Sequence, residues 1–163
     1  METLVLYATL FFAFSIFGYY YEVLLVVIFR GEHTTRIKGP YHPVYGIGVV
    51  AAFFIYTLDF NIWTKLAIIA AVIILIEYIT GLFFNKLLGL NLWDYGKRPL
   101  NLHGQICLTH AIGWVLAAAL LVFAVLPFLY QLTINVYIII LITSFLLIVA
   151  RDITKQSIIT VKT

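Results

Sequence analysis

Long apolar runs limit what this chain can fold into. Residues 105–126 and 132–150 contain no Asp, Glu, Lys or Arg, and residues 3–29, 44–58 and 64–85 together contain only Glu22, Lys65 and Glu77. A helix needs about 20 apolar residues to cross a bilayer. Backbone groups in lipid must be bonded internally, so spanning structures are helices or closed barrels. The runs are continuous rather than alternating, which argues for helices. With 64% hydrophobic and only 10% charged residues, the 163-residue chain could not cover a water-facing surface.

The expected fold is all-α and polytopic, a single transmembrane domain over residues 1–163. Five spans are expected, from Thr3 to Phe29, Val44 to Leu58, Thr64 to Asn85, Gln105 to Leu126 and Leu132 to Ala150. Pro127 is expected to end the fourth. The first run is too long for a cleavable signal peptide, and Glu2 stands where such peptides carry Lys or Arg. Gly39, Pro40, Pro43, Gly46 and Gly48 suggest irregular backbone at the entry to span two. A tight turn is expected at Asp59-Phe60-Asn61, and Arg151, Asp152 and Lys155 open a polar tail.

Five spans put the first loop, the third loop and the C-terminal tail on one side. Arg30, Arg36, Lys38, Lys86, Lys97, Arg98, Arg151, Lys155 and Lys162 collect there, against Lys65 alone on the other. By the positive-inside rule the N-terminus lies outside and the C-terminus in the cytoplasm, as in a prokaryotic plasma membrane protein. The pI near 9.0 therefore reports orientation, and nucleic acid is not an expected partner. The lone Cys107 excludes an intrachain disulfide and reads as a small apolar packer. Trp63, Trp93 and Tyr95 read as interface anchors.

Polar residues converge at one depth. Glu22 and Glu77 sit roughly 11–12 Å inside the cytoplasmic boundary at 1.5 Å per residue. His110 enters span four from that side, and Tyr45 begins span two. Ser15, Gly18 and Glu22 share one helical face, Glu77, Gly81 and Asn85 a second, and His110, Gly113, Trp114 and Ala117 a third. Small residues let helices approach closely in membranes, so these stripes should face the interior. The polar loop from Trp93 to Asn101 would lie above them. The candidate substrate or ion site is Glu22, Tyr45, Glu77, Asn85, Asp94, Tyr95, Lys97, Arg98, Asn101 and His110. Intramembrane ionisable groups usually face a partner or a wet cavity. No spacing matches a metal motif, and no cofactor is expected.

Several passages together resemble the CmpB-type ABC-transporter type IV membrane family. They are Phe17-Gly18 with Glu22, Gly39-Pro40 with Pro43-Val44-Tyr45-Gly46-x-Gly48, and Glu77-Tyr78-x-Thr80-Gly81. Trp93-Asp94-Tyr95, Pro99-Leu100-Asn101-Leu102-His103-Gly104, Ile106-Cys107-Leu108 and Trp114 continue the match over roughly residues 14–126. Tyr21 stands where the family often has Trp, Gln105 where Arg is frequent and His110 where Ser is frequent. The resemblance implies transport. The chain has no P-loop and hydrolyses no ATP unaided. Five spans are few for a complete pathway, so a homodimer or a separate ATPase or membrane subunit is implied besides the lipid bilayer.

Three readings remain open. A permease-like component would bind a cation or proton at Glu22 and Glu77 and an anionic group at Lys97 and Arg98. A membrane-embedded enzyme would use the carboxylates as acid and base on a lipid headgroup or phosphate. An accessory or scaffold protein would use the cluster for structure alone.

Overall fold

The computed structural model describes residues 2–29, 40–132 and 134–161. The first-loop expectations as far as Gly39, including Arg30, Arg36 and Lys38, and the expectation for Lys162 lie outside the described residues.

Helix α1 (Glu2–Phe29) is followed by α2 (Pro43–Thr57) and α3 (Ile62–Gly81), which widens into π-helical turns over Leu82–Leu87. A hairpin follows, with the short antiparallel strands β1 (Asn101–Leu102) and β2 (Ile106–Cys107). Then come α4 (Leu108–Leu120), π-helical turns at Leu121–Val125, α5 (Leu126–Gln131) and α6 (Ile134–Val161). The Asn61 carboxamide caps α3 by accepting from the Thr64 amide at 3.0 Å, which makes the tight turn at residues 59–61.

Among the described residues, three segments are long and apolar enough to cross a membrane, Glu2–Leu24, Ile62–Leu87 and Leu108–Gln131. Shorter apolar helices run over Pro43–Thr57 and Asn135–Ile148. The chain is a helical integral membrane protein. Its outer surface fits: Phe17, Leu24, Phe54, Leu75, Ile79, Leu116, Phe123 and Leu146 are all exposed, as side chains facing acyl chains would be.

The helices neighbour one another in the order α6, α1, α2, α3, α4. The main core runs through Leu10, Phe53, Ile69, Ile73, Ala118, Val122 and Leu126. A second cluster of Val44, Trp93, Tyr95 and Cys107 lies beneath the hairpin. Thr9 ties α1 to α6 by donating to the Tyr137 carbonyl at 2.9 Å.

Four local expectations are corrected. The entry to span two is a regular helix from Pro43. Gly46 lets α1 and α2 close instead, since a Cβ there would strike the Phe11 carbonyl and the Ser15 hydroxyl. Pro127 does not end the helix, because π turns precede it and α5 continues to Gln131. Proline lacks an amide proton and clashes with the carbonyl four residues back. The wider π register relieves both conflicts. The tail after Ala150 stays helical to Val161, in a stretch with no Gly or Pro from residue 134 onward. Span four starts at Leu108 rather than Gln105, because Gln105, Ile106 and Cys107 belong to the hairpin.

Candidate functional site

The hairpin folds back onto the bundle rather than standing in water. Trp93 and Tyr95, expected as interface anchors, are 4% and 6% exposed. Asn85, turned inward by the π-helical end of α3, holds this arrangement. Its Nδ2 donates to the Trp93 carbonyl and to Gln105 Oε1, both at 2.8 Å, and its Oδ1 accepts the Leu92 amide at 2.6 Å. The Trp93 indole donates to the Gln105 carbonyl at 3.1 Å. Gly81 packs against Gln105 and Trp93. The Glu77, Gly81 and Asn85 stripe is buried throughout.

Glu77 is 5% exposed. It accepts from the Tyr95 hydroxyl at 3.2 Å and, through its other oxygen, from the Trp114 indole. Burial, then the adjacent Glu77 carboxylate, pushes the Tyr95 phenol well above the usual tyrosine range, so it remains a donor at neutral pH. The Tyr95 ring lies 4.1 Å from the His110 ring, centroid to centroid. His110 Nδ1 is 3.1 Å from Cys107 Sγ, which is also 3.2 Å from Thr109 Oγ1. Cys107 is therefore not merely an apolar packer.

A second arm comes from α1 and α2. Tyr45 donates to Glu22 Oε1 at 3.2 Å, and His42 Nε2 lies 3.4 Å from the same oxygen. Ser15 and Gly18 are buried on the Glu22 face, where Gly18 faces the Tyr45 side chain. The Tyr45 and Trp114 rings, 5.3 Å apart, join the two arms. Glu22 is close enough to act electrostatically on Glu77, Tyr95 and His110.

His42 escaped the sequence reading because Pro40-Tyr41-His42-Pro43 looks like a turn. It is 4% exposed, and among the described residues neither ring nitrogen has a hydrogen-bond partner. Burial lowers its pKa, and Glu22 opposes that only in part. A histidine kept neutral by the fold supports stability above its unfolded value of about 6.5, and that support fades as pH falls below it. Thermal melting of the purified chain between pH 8 and pH 5 should show a loss on acidification that shrinks in His42→Phe.

The charged part of the loop lies outside this cluster. Asp94, Lys97 and Arg98 are exposed on the outer hairpin. Among the described residues neither Lys97 nor Arg98 pairs with Glu77; Arg98 instead lies near enough to His110 to act on it electrostatically. Asp94 Oδ1 accepts the Gly96 amide at 2.7 Å. Asn101 staples the turn, donating to the Gly96 and Arg98 carbonyls at 3.2 and 2.8 Å and accepting the Gly104 amide at 2.9 Å. Gly113 lies in open space rather than at a helix seam. Among the described residues no group of three or more His, Cys, Asp or Glu is placed to hold a metal ion.

The ten residues from the sequence thus divide. Glu22, Tyr45, Glu77, Tyr95 and His110 form one cluster, with Glu77 and Tyr95 buried and the other three half-buried; Asn85 and Asn101 hold the hairpin, and Asp94, Lys97 and Arg98 stand outside. The family model described as "Putative ABC-transporter type IV" matches residues 9–156. The chain belongs to this family. The matched range includes both carboxylates and the whole hairpin. No curated protein and no solved structure is significantly similar to the chain.

Proposed function

We propose that the protein is the permease-like membrane component of a transporter in a prokaryotic plasma membrane. It is a single domain of five spans, with its N-terminus outside and its C-terminus cytoplasmic. The family supports a transport role. The observation that carries the reading is the pair of carboxylates, Glu22 and Glu77, facing one aromatic seam from different helices under the hairpin. Buried carboxylates in a membrane are costly and mark cation or proton paths. At 15 residues α2 is roughly 22 Å long, shorter than the ~30 Å hydrocarbon core. His42, at its start, lies 3.4 Å from Glu22 Oε1, which sets that end at the level of the carboxylates. A homodimer or an added ATPase or membrane subunit completes the path.

Proteoliposomes holding a trapped pH-sensitive dye, under an imposed potassium diffusion potential, test this. Proton uptake should exceed that of empty vesicles and fall at least tenfold in Glu22→Gln and Glu77→Gln. Uptake equal to empty vesicles, from a chain that also purifies from its own membranes without a second subunit, would overturn the proposal. A membrane-embedded enzyme acting on a lipid headgroup or phosphate is the second reading, favoured by the contact between Cys107 Sγ and His110 Nδ1.

A further inference from the structure

The hairpin and the end of α3 line an open cleft of about 660 Å³, and neither Glu22 nor Glu77 is among its walls. This lies within the range of small-molecule sites, roughly 300–1,000 Å³. Its walls combine opposite charges. Lys86 projects from the π-helical end of α3 and Asp94 from the hairpin, and the two do not pair with each other. Tyr78 lies 2.8 Å from His103 Nδ1; with the phenol donating, the imidazole carries its proton on Nε2. Gly104 lies in the wall at φ +71, where an added Cβ would come within 2.9 Å of Asp94 Oδ1.

The surroundings of the cleft are apolar. Leu87 and Leu100 are 74% and 77% exposed, and Leu88, Leu90 and Leu102 are about half exposed. Leu100 has φ +51, a conformation a bulky residue rarely adopts, and its side chain faces outward. Five outward leucines beside lysines and an aspartate match a surface at the boundary of headgroups and acyl chains. Lys86 is the second-to-last residue of the spanning segment Ile62–Leu87, so the cleft opens at the segment's end, at headgroup depth.

We propose that this cleft binds the zwitterionic headgroup of a membrane phospholipid, an aminoalkyl phosphate carrying a primary ammonium. The Lys86 ammonium and the His103 Nε2–H meet the phosphate, the Asp94 carboxylate meets the ammonium, and the leucines meet the acyl chains. The shared chemistry, an ammonium two carbons from a phosphate, also exists in water-soluble phosphoethanolamine. The exposed leucines select the lipid.

The test is native mass spectrometry of the full chain from vesicles of equal phosphatidylethanolamine, phosphatidylcholine and phosphatidylglycerol. Phosphatidylethanolamine should be retained about tenfold over both others. Phosphatidylcholine offers Asp94 no N–H, and phosphatidylglycerol offers it no cation. Asp94→Asn, which keeps the oxygen that accepts the Gly96 amide, should abolish the preference over phosphatidylglycerol. Lys86→Ala should weaken retention of phosphatidylethanolamine and phosphatidylglycerol alike. Both substituted side chains are exposed, so the fold should persist. Equal retention of the three lipids, or a preference unchanged in both variants, would overturn the proposal. So would binding of free O-phosphoethanolamine by a chain that retains no lipid. Failure of proton uptake leaves this site untouched, since it shares no residue with the carboxylate cluster.

Discussion

Replacing Asn85 by leucine should release the hairpin from the bundle. The substitution removes two donated bonds and one accepted bond, and it strands the Trp93 carbonyl and Gln105 Oε1 in a buried site. Each buried polar group left without a partner costs about 1–3 kcal/mol, so the loss should reach about 3 kcal/mol. Hydrogen exchange across residues 88–107 should accelerate by roughly 100-fold, because each 1.4 kcal/mol is a factor of ten. The main core through Leu10, Ile69 and Val122 does not depend on Asn85 and should keep its protection. Asn85→Asp retains an acceptor for the Leu92 amide and should fall between the two. Unchanged exchange in Asn85→Leu would show that the buried Trp93 and Tyr95 hold the hairpin by themselves.

Glu77 should separate structure from function most clearly. In Glu77→Leu the Tyr95 hydroxyl and the Trp114 indole lose their acceptor inside an apolar bundle. Two stranded donors cost about 2–6 kcal/mol together, and thermal denaturation in detergent should show the loss. Glu77→Gln keeps a carbonyl oxygen and should lose less than half as much. Adding Tyr95→Phe to Glu77→Leu removes one stranded donor and should restore part of the stability. If Glu77→Leu melts at or above the parent temperature, the carboxylate is a net structural burden. A burden of that kind points to retention for transport or chemistry.

The same physics explains how far the sequence could be read. Runs without charge require helices in a bilayer, because no other open structure satisfies the backbone there. The stripe of Glu77, Gly81 and Asn85 follows from i, i+4 spacing, and all three residues are buried. The Ser15, Gly18 and Glu22 face follows from the same period, and it meets α2 at Tyr45 and Gly46. Family membership also follows from the sequence, because it rests on residue identities along most of the chain.

Periodicity ends where helices end, and there the tertiary structure decided. Whether Trp93 and Tyr95 sit in an interface or under a hairpin depends on Asn85, and a buried carboxamide looks like any polar residue in sequence. His42 and Glu22 are 20 positions apart and meet only because Gly18 and Gly46 let α1 and α2 close. Cys107 and His110 are near in sequence, yet their contact requires β2 to end at the first turn of α4. Lys86 and Asp94 carry ordinary surface charges. Only the π turn and the hairpin set them on one cleft. The sequence by itself thus determined the medium, the helices and the inward faces of α1 and α3, while on α4 the expected inward Gly113 lies in open space. Which loop groups join them was decided in three dimensions, because loop contacts obey hydrogen bonding and packing rather than any repeat along the chain.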